Sequence, residues 1–577
     1  MRVKLAKTAG FCKGVKRAMN IVLDTANKKK KDIYTYGPLI HNPQAVELLE
    51  SKNVKIINDV SEFSSGTIII RTHGISPDVR KNIKETGADI CDATCPDVMK
   101  VQSLIKRHAE KGYSIIIIGD KGHPEVIAHL GFSSNKGVVI DTEEEVENLP
   151  DTEKVCVVAQ TTYDYKKFEE LAERIKERFD NAEIYNTVCD ATFKRQEEIL
   201  KMCKEVDCMV IVGGRNSGNT KRLVQIAEST KTPVFHVETE EELDEEKLKV
   251  FNLVGVGAGA STPHWLIQKV INRIESISKG QRGKVSLLLA LLRFLVKVNI
   301  YVALGAGFLT YAASLLQGIR PMWETIVITV LYIFSMHVLN RFTDKTAGRF
   351  NDPERMMFYE KHSRKLMVSA VASALTGLVI ALSLGPVAFF VLLLSCIFGV
   401  MYSMRIAPKG LDRFIKYKRL KDIPASKDLF IAMAWSIVAV ILPFIVSGKG
   451  ISAATLVTFF FTFSVLFIRA TIFDLRDMQG DRIVGRETFP IIVGENRALN
   501  IMKGLAVITG LVLIVSMFFY SISPVGWFFV LSITYIFFAL TLFKKGLFVQ
   551  RFTWEAVIDG NFLLLGMMSL VWNFLAL

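Results

Sequence analysis

The chain has 577 residues, half of them hydrophobic, and a formal net charge of +14. This length exceeds what a single hydrophobic core can organise, so the sequence predicts several domain-sized units. Lys and Arg concentrate in short loops between the long apolar runs of residues 286–577, which indicates a membrane surface and not nucleic acid as the partner. The first half carries dense Lys and Glu with no apolar leader, so we expect it in the cytoplasm.

The first half alternates between strands and helices. Apolar segments at 114–120, 154–160, 208–214 and 253–261 each end in a loop that contains Gly or Thr, and residues 168–179 read as an amphipathic helix. This pattern predicts an α/β fold with parallel strands. Ligands of such sheets bind at the carboxyl ends of the strands, where these loops lie.

Three cysteines occupy such loops at similar separations: Cys12, Cys95 and Cys189. We expect three lobes, each of which donates one thiolate to a shared centre. A cluster or metal held by three thiolates keeps one coordination position free for a substrate. A buried structural thiol remains the alternative for any one of them. The other five cysteines read as small core residues of a protein in a reducing compartment.

Imidazole, hydroxyl and amide groups in neighbouring loops predict a site for phosphate oxygens. Some of the loops open toward helix starts, where backbone N–H groups add affinity for anions. For each histidine alone, a core or capping role is the alternative. The candidates are His41, His73, His123, Ser217, Asn219, Thr220, Ser261 and Thr262.

Glu125 is the one carboxylate of this set, and it can relay protons if burial raises its pKa toward neutrality. Its alternative role is that of a residue in the first turn of a helix. Thr161 ends a strand and could orient a substrate hydroxyl, or cap the next helix. We interpret His108 and His129 as structural.

The strings GFCKGVKRA, LIHNPQAVELL, THGIS, DATCPDVMKVQ, GHPEV, QTT, ATFKRQE, NSGNTKRL and GAGASTP occur in this order. Together they make residues 1–280 resemble 4-hydroxy-3-methylbut-2-enyl diphosphate reductase, the last enzyme of the methylerythritol phosphate route to isoprenoids. The resemblance implies a three-lobed iron–sulfur reductase that removes the substrate hydroxyl with two electrons and two protons. The products would be isopentenyl and dimethylallyl diphosphates.

The resemblance also assigns roles to residues. A 4Fe-4S cluster would be bound by Cys12, Cys95 and Cys189, and Glu125 would deliver a proton. Electrons would come from a separate carrier such as ferredoxin or flavodoxin. The substrate would be bound by His41, His73, His123, Thr161, Ser217, Gly218, Asn219 and Ser261, with Gly218 in place of a serine that many relatives carry.

The second half reads as an all-α membrane domain over residues 299–577, after a linker and interfacial helix at 281–298. We expect about nine transmembrane helices, and the basic loops place the reductase on the cytoplasmic side of the inner membrane. The predicted spans are 299–316, 322–340, 366–384, 386–404, 428–446, 451–468, 498–519, 525–543 and 558–576.

Two of the loops carry carboxylates close to the membrane. Asp474, Asp477 and Asp481 lie on one helix face, where Mg²⁺ with a diphosphate would relieve their mutual repulsion. The other loop contains Asn340 and Asp344 and is the weaker of the two. Solvated charge beside the membrane is the alternative for both.

These loops resemble the two aspartate motifs of UbiA-type intramembrane prenyltransferases. The second motif matches the family through Gly485 and Pro490. In the first, Arg341 and Gly348 replace two aspartates of the family pattern N-D-x-x-D-x-x-x-D, and Asp352 could substitute for one of them. The resemblance implies Mg²⁺, a prenyl diphosphate donor, and a lipid or aromatic acceptor.

The sequence therefore predicts a bifunctional, membrane-tethered isoprenoid enzyme. Two alternatives stay open. The chain could be chiefly a prenyltransferase with a redox-sensing iron–sulfur domain, or a reductase with a non-catalytic membrane anchor.

Overall fold

The structure is a computed structural model that describes residues 2–28, 31–134, 137–278, 287–403, 420, 423–519, 522–544 and 551–575. The chain divides into two compact units, Met1–Arg282 and Gly283–Leu577, which are described separately. Residues 281–286 of the predicted linker and 404–419 of the loop after the fourth predicted span lie outside the described residues.

The first unit contains three four-stranded parallel sheets, which confirms the three-lobed α/β prediction. The strands are β1 Arg2–Leu5, β2 Ile33–Tyr36, β3 Val54–Ile57, β4 Thr67–Ile70, β5 Asp89–Asp92, β6 Ser114–Ile118, β7 Gly137–Ile140, β8 Val155–Ala159, β9 Ala182–Ile184, β10 Cys208–Val212, β11 Val234–Val237 and β12 Leu253–Ala258. Their orders in the three sheets are β1-β12-β10-β11, β3-β2-β4-β5 and β7-β6-β8-β9.

The three lobes are not formed by three consecutive segments of the first unit. Strand β1 pairs with β12, in register from Arg2 with Leu253 to Leu5 with Val256. The N-terminal strand thus completes a sheet whose other strands come from the end of the unit. This pairing brings the loop that contains Cys12 into the lobe that is built on β10, β11 and β12.

Helices cover the sheets, whose central strands are fully buried, as in Ile68–Ile70. Four of the helices begin with proline, whose fixed φ suits the first helical position and fixes the loop before it. The helices are Lys13–Lys28, Pro43–Glu50, Pro77–Glu85, Pro96–Glu110, Pro124–Gly131, Glu143–Glu147, Tyr165–Arg178, Asp190–Cys203, Gly218–Ser229, Glu245–Leu248 and His264–Ser278, with 3₁₀ turns at Val60–Glu62 and Glu240–Glu242.

The described residues of the second unit are helical apart from their loops. Side chains such as Phe518 and Phe574 are more than 70% exposed on its surface, as expected for a lipid-facing bundle. The helices are Leu287–Lys297, Ile300–Leu316, Trp323–Thr343, Lys345–Asn351, Pro353–Lys361, Ser363–Ser383, Pro386–Ser403, Ser426–Ser447, Ala453–Val484, Phe489–Val493, Glu495–Phe519, Gly526–Lys544 and Arg551–Leu575.

A helix lies at each of the nine predicted span positions among the described residues. Among the described residues, seven helices are long and apolar enough to cross a membrane. Leu287–Lys297 and Ile300–Leu316 would together make an eighth, although they meet at a bend of 82°. The fourth predicted span is the apolar helix Pro386–Ser403, which ends where the described residues break off.

Candidate functional site

The three sheets of the first unit present their candidate residues in the same order. The edge strands β1, β5 and β9 lead to Cys12, Cys95 and Cys189. The strand beside each edge strand leads to Ser261, His73 or Thr161, which follow β12, β4 and β8. The next strand leads to Ser217, His41 or His123, which follow β10, β2 and β6. All of these residues thus follow carboxyl ends of parallel strands, where ligands bind.

The cysteine sulfurs meet at the start of the helix Lys13–Lys28. A β-carbon added to Gly14 would lie 2.5 Å from Cys95 Sγ and 3.9 Å from Cys12 Sγ. Cys95 and Cys189 each precede a helix as its N-cap residue, and neither side chain caps it. Cys189 Sγ lies 3.1 Å from Thr192 Oγ1. Glycine at position 14 therefore keeps space open beside the sulfurs.

The chemistry of these thiols fits a bound cationic group. Burial raises the pKa of Cys95 to about 11 and also raises the pKa of Cys189. Both thiols would stay protonated on their own, whereas metal coordination holds thiolates. The buried guanidinium of Arg195 interacts electrostatically with the thiolate forms of Cys12 and Cys189. It also donates a hydrogen bond to Gly10 O. The sequence analysis did not single out Arg195, although it lies within the string ATFKRQE.

The three histidines form one cluster. The ring centroids of His41 and His73 lie 4.6 Å apart, and His123 lies 5.7 Å and 5.4 Å from them. Burial, with repulsion from His123 and Arg71, lowers the pKa of His41 to about 4. Burial is also the main reason why the pKa values of His73 and His123 are lowered. All three imidazoles are thus neutral at pH 7, and Arg71, which the sequence analysis missed, adds a positive charge.

Several buried polar atoms near the histidine cluster have no hydrogen-bond partner in the part of the chain that the structure describes. Among the described residues they include His41 Nε2, His73 Nδ1 and both polar side-chain atoms of Asn219. Leaving such atoms unpaired is costly, so a ligand that pairs them is favoured. The Ser217 hydroxyl accepts from Thr220 N–H, and the Ser261 hydroxyl donates to His41 O.

Gly218 faces this cluster. A β-carbon there would lie 3.6 Å from Asp120 Oδ2 and 3.9 Å from both Gln160 Nε2 and His123 Cδ2. Gly218 begins a helix of 12 residues, so its N–H group is free of intrahelical bonds. The glycine is therefore compatible with an anion at this helix start.

Glu125 lies beneath Thr161 and is fully buried. Its carboxylate accepts from Thr161 N–H at 2.6 Å and from the Thr161 hydroxyl at 2.9 Å. His129 Nε2 lies 3.4 Å from Glu125 Oε1. His129, which we interpreted from the sequence as a structural residue, therefore contacts the candidate proton donor. His108 packs as expected and hydrogen-bonds to Leu104 O and Glu183.

We expected burial to raise the pKa of Glu125 toward neutrality, and this is not the case. Burial raises the pKa of Glu125, but interactions with His129, His123 and the Thr161 N–H outweigh burial and lower it overall. Without a ligand, Glu125 is thus a carboxylate.

The second unit has a charged cavity of about 140 Å³ that contains Asn340, Asp344, Asp474 and Asp477 in its lining. Cations contact these carboxylates. Lys427 contacts Asp474, Arg551 holds Asp477 at 2.8 Å and 3.2 Å, and Arg486 holds Asp344 at 2.6 Å. Asp481 lies nearby, 3.7 Å from Arg486 and 3.2 Å from Asn351 Nδ2.

Oxygen ligands for Mg²⁺ remain in the cavity lining and directly beside it. Asp428 Oδ1, Asp474 Oδ2 and Asp481 Oδ2 are buried and have no hydrogen-bond partner among the described residues. Asp428 also lies within hydrogen-bonding reach of Asp474. One or two carboxylates with substrate phosphates suffice for Mg²⁺, so these residues fit the ion. The sequence analysis missed Asp428 because it lies far from both motifs.

The first aspartate motif provides fewer carboxylates for a metal ion than the second. Asp352 caps the helix Pro353–Lys361 and pairs with Arg355 and Arg551. A β-carbon at Gly348 would lie 2.7 Å from Met356 Cγ and Sδ. The position of the third aspartate is therefore closed by packing.

Two sequence profiles match the chain. Residues 3–275 match the LytB protein family, and residues 299–555 match the UbiA prenyltransferase family. The chain is 42% identical over 279 residues to 4-hydroxy-3-methylbut-2-enyl diphosphate reductase of Alkaliphilus oremlandii, covering 48% of this chain and 100% of that protein.

Solved structures resemble each half. The Plasmodium falciparum E-1-hydroxy-2-methyl-but-2-enyl-4-diphosphate reductase is 31% identical, with 47% of this chain and 87% of that chain covered and a TM-score of 0.46. A UbiA homologue from Archaeoglobus fulgidus, bound to GPP and Mg²⁺, is 17% identical, with 48% and 99% covered and a TM-score of 0.35.

The fold and the three-cysteine site define a three-lobed reductase joined to a polytopic helical membrane domain. The chain belongs, over its first half, to the 4-hydroxy-3-methylbut-2-enyl diphosphate reductase (LytB) family, and its second half is a UbiA prenyltransferase domain.

The histidine cluster predicts that diphosphate binding takes up protons. His41 is neutral in the free protein above pH 5, and a bound anion favours the charged imidazole, so its pKa rises on binding. At pH 7 the wild-type protein should take up as much as one proton more per inorganic pyrophosphate than His41→Gln. Affinity should therefore fall as pH rises through the bound-state pKa. Calorimetry in buffers of different ionisation enthalpy measures this difference.

The ionisation of pyrophosphate itself is common to both proteins and cancels in the comparison. Equal proton uptake by the two would show that His41 stays neutral beside the anion.

Proposed function

We propose that the first unit reduces 4-hydroxy-3-methylbut-2-enyl diphosphate to isopentenyl and dimethylallyl diphosphates. The convergence of Cys12 and Cys95 at Gly14, beside a histidine cluster with unpaired buried atoms, carries this proposal. The allylic C–O bond breaks, two electrons and two protons are consumed, and the hydroxyl leaves as water. A 4Fe-4S cluster on Cys12, Cys95 and Cys189 would supply electrons and a free iron coordination position.

The chain's own residues bind the substrate and handle protons. His41, His73, His123, Ser217, Gly218, Asn219 and Ser261 bind the diphosphate. Thr161 orients the hydroxyl, since its own hydroxyl is fixed by Glu125 at 2.9 Å. Glu125 delivers the proton after the bound anion has raised its pKa, because nearby negative charge favours the protonated form.

Electrons would come from a separate carrier such as ferredoxin or flavodoxin. The membrane domain would lie in the inner membrane, with the reductase on its cytoplasmic side. The basic loops between the apolar helices support this orientation.

Replacing Glu125 tests the proton role. Glu125→Gln keeps the size and the contact with Thr161 but cannot donate an acidic proton, so turnover should fall by about 100-fold or more. The assay uses anaerobically purified full chain and an artificial reductant, with iron content measured in parallel. Iron content should stay unchanged.

Glu110→Gln, on the exposed end of the helix Pro96–Glu110, is the matched control and should keep full turnover. Wild-type turnover in Glu125→Gln would remove Glu125 from the mechanism. A wild-type chain that binds iron but does not turn over would support a redox sensor in place of a reductase.

For the second unit, we propose transfer of a prenyl group from a diphosphate donor to a lipid or aromatic acceptor. The three buried carboxylate oxygens of Asp428, Asp474 and Asp481 that lack hydrogen bonds carry this proposal. Mg²⁺ held there, with Asn340, Asp344 and Asp477 around it, would stabilise the charge on the leaving diphosphate. Lys427, which contacts Asp474, would turn to the diphosphate when the ion binds.

Asp474→Asn should lower diphosphate release from labelled geranyl diphosphate by about 100-fold or more, because it removes a carboxylate ligand of the ion. The assay contains a membrane lipid extract as the source of acceptor. Reductase turnover of the same protein should not change.

Glu495→Gln is the control, since this exposed carboxylate lies at the start of the helix Glu495–Phe519. Equal diphosphate release by Asp474→Asn and wild type would favour a non-catalytic membrane anchor.

A further inference from the structure

The charges around the membrane cavity are divided between two sides. On the aspartate side lie Asp344, Asp428, Asp474 and Asp481 with two cations, Lys427 and Arg486. On the arginine side lie Arg341, Arg355, Arg551 and Arg476 with three carboxylates, Asp352, Asp477 and Glu555. The aspartate side thus has an excess of negative charge and the arginine side an excess of positive charge.

The carboxylates of the arginine side are already engaged. Glu555 pairs with Arg355 and lies 2.8 Å from Arg551. Asp352 lies 3.3 Å from Arg355 and 3.2 Å from Arg551, and Asp477 is held by Arg551. Arg355 and Arg551 are therefore the cations that these three carboxylates neutralise.

Arg341 lines the cavity, and its guanidinium has no hydrogen bond or ion pair with any residue that the structure describes. It is partly buried, in the last turn of the helix Trp323–Thr343. A guanidinium in this setting is costly unless an anion pairs with it. A guanidinium also matches phosphate oxygens with two parallel hydrogen bonds.

Arg341 stands where the family pattern has an aspartate, and Gly348 stands where it has another. Met356 closes the space at Gly348, so that carboxylate has no equivalent here. The first motif thus contributes one fewer site for a cation and one more fixed positive charge.

We infer that Arg341 binds the diphosphate of the prenyl donor directly. A single Mg²⁺ would be held by the carboxylates of the aspartate side, and the Arg341 guanidinium would bind the diphosphate from the arginine side. This inference rests on the proposed prenyl transfer.

The test measures binding of geranyl diphosphate to the full chain with Mg²⁺, and Mn²⁺ stoichiometry by electron paramagnetic resonance. Loss of a charge-assisted pair predicts that Arg341→Gln binds geranyl diphosphate about 10- to 100-fold more weakly. Arg341→Lys, which keeps the charge, should lose less. Arg364→Gln, an exposed arginine in the first turn of the helix Ser363–Ser383, is the control and should bind as wild type.

With geranyl diphosphate present, Arg341→Gln should bind as many Mn²⁺ ions as wild type, which also shows that it is folded. Asp474→Asn should bind one fewer. Binding to the reductase pocket is common to all variants and cancels in these comparisons.

Two results would overturn the inference and leave the proposed prenyl transfer intact. One is that Arg341→Gln binds geranyl diphosphate within twofold of the wild-type affinity. The other is that Asp474→Asn loses two Mn²⁺ ions. Absence of a difference in geranyl diphosphate binding between wild type and Asp474→Asn would instead overturn the proposed function.

Discussion

The convergence of the cysteines that follow three edge strands determines what the first unit can do. Strands β1, β5 and β9 belong to different sheets, and each directs the chain into a loop that ends in a cysteine. Because the remaining candidate residues follow the neighbouring strands, one arrangement of sheets places both the sulfurs and the histidine cluster. The pairing of β1 with β12 is essential, since it alone carries Cys12 to its place.

Much of this could be predicted from the sequence, because parallel strands and their loops leave local patterns. The strands at 114–120, 154–160, 208–214 and 253–261 were all expected, and so was the three-lobed fold. The pairing of β1 with the last strand was not, since no local pattern specifies a partner about 250 residues away. The same limit applies to Glu125, whose pKa depends on His129 and Thr161 and not on burial alone.

In the membrane unit, the sequence located the helices and the aspartate motifs but not the ionic partners of those motifs. Arg551 reaches Asp477 and Arg486 reaches Asp344, and both pairs join segments far apart in the chain. Asp428 likewise approaches Asp474 from another helix. The carboxylates predicted as a metal site are therefore partly neutralised by arginine and lysine, and the cavity is better described as a paired acidic and basic surface.

The central claim is that three thiolates hold a cluster and leave one iron without a protein ligand. Mössbauer spectroscopy tests this claim most directly. The full chain is produced with iron enriched in the Mössbauer-active isotope and is purified anaerobically. The account predicts a cluster in which one iron differs from the other three, and a change of that iron's signal alone when 4-hydroxy-3-methylbut-2-enyl diphosphate is added. Four equivalent irons that ignore the substrate, or no cluster at all, would contradict the account.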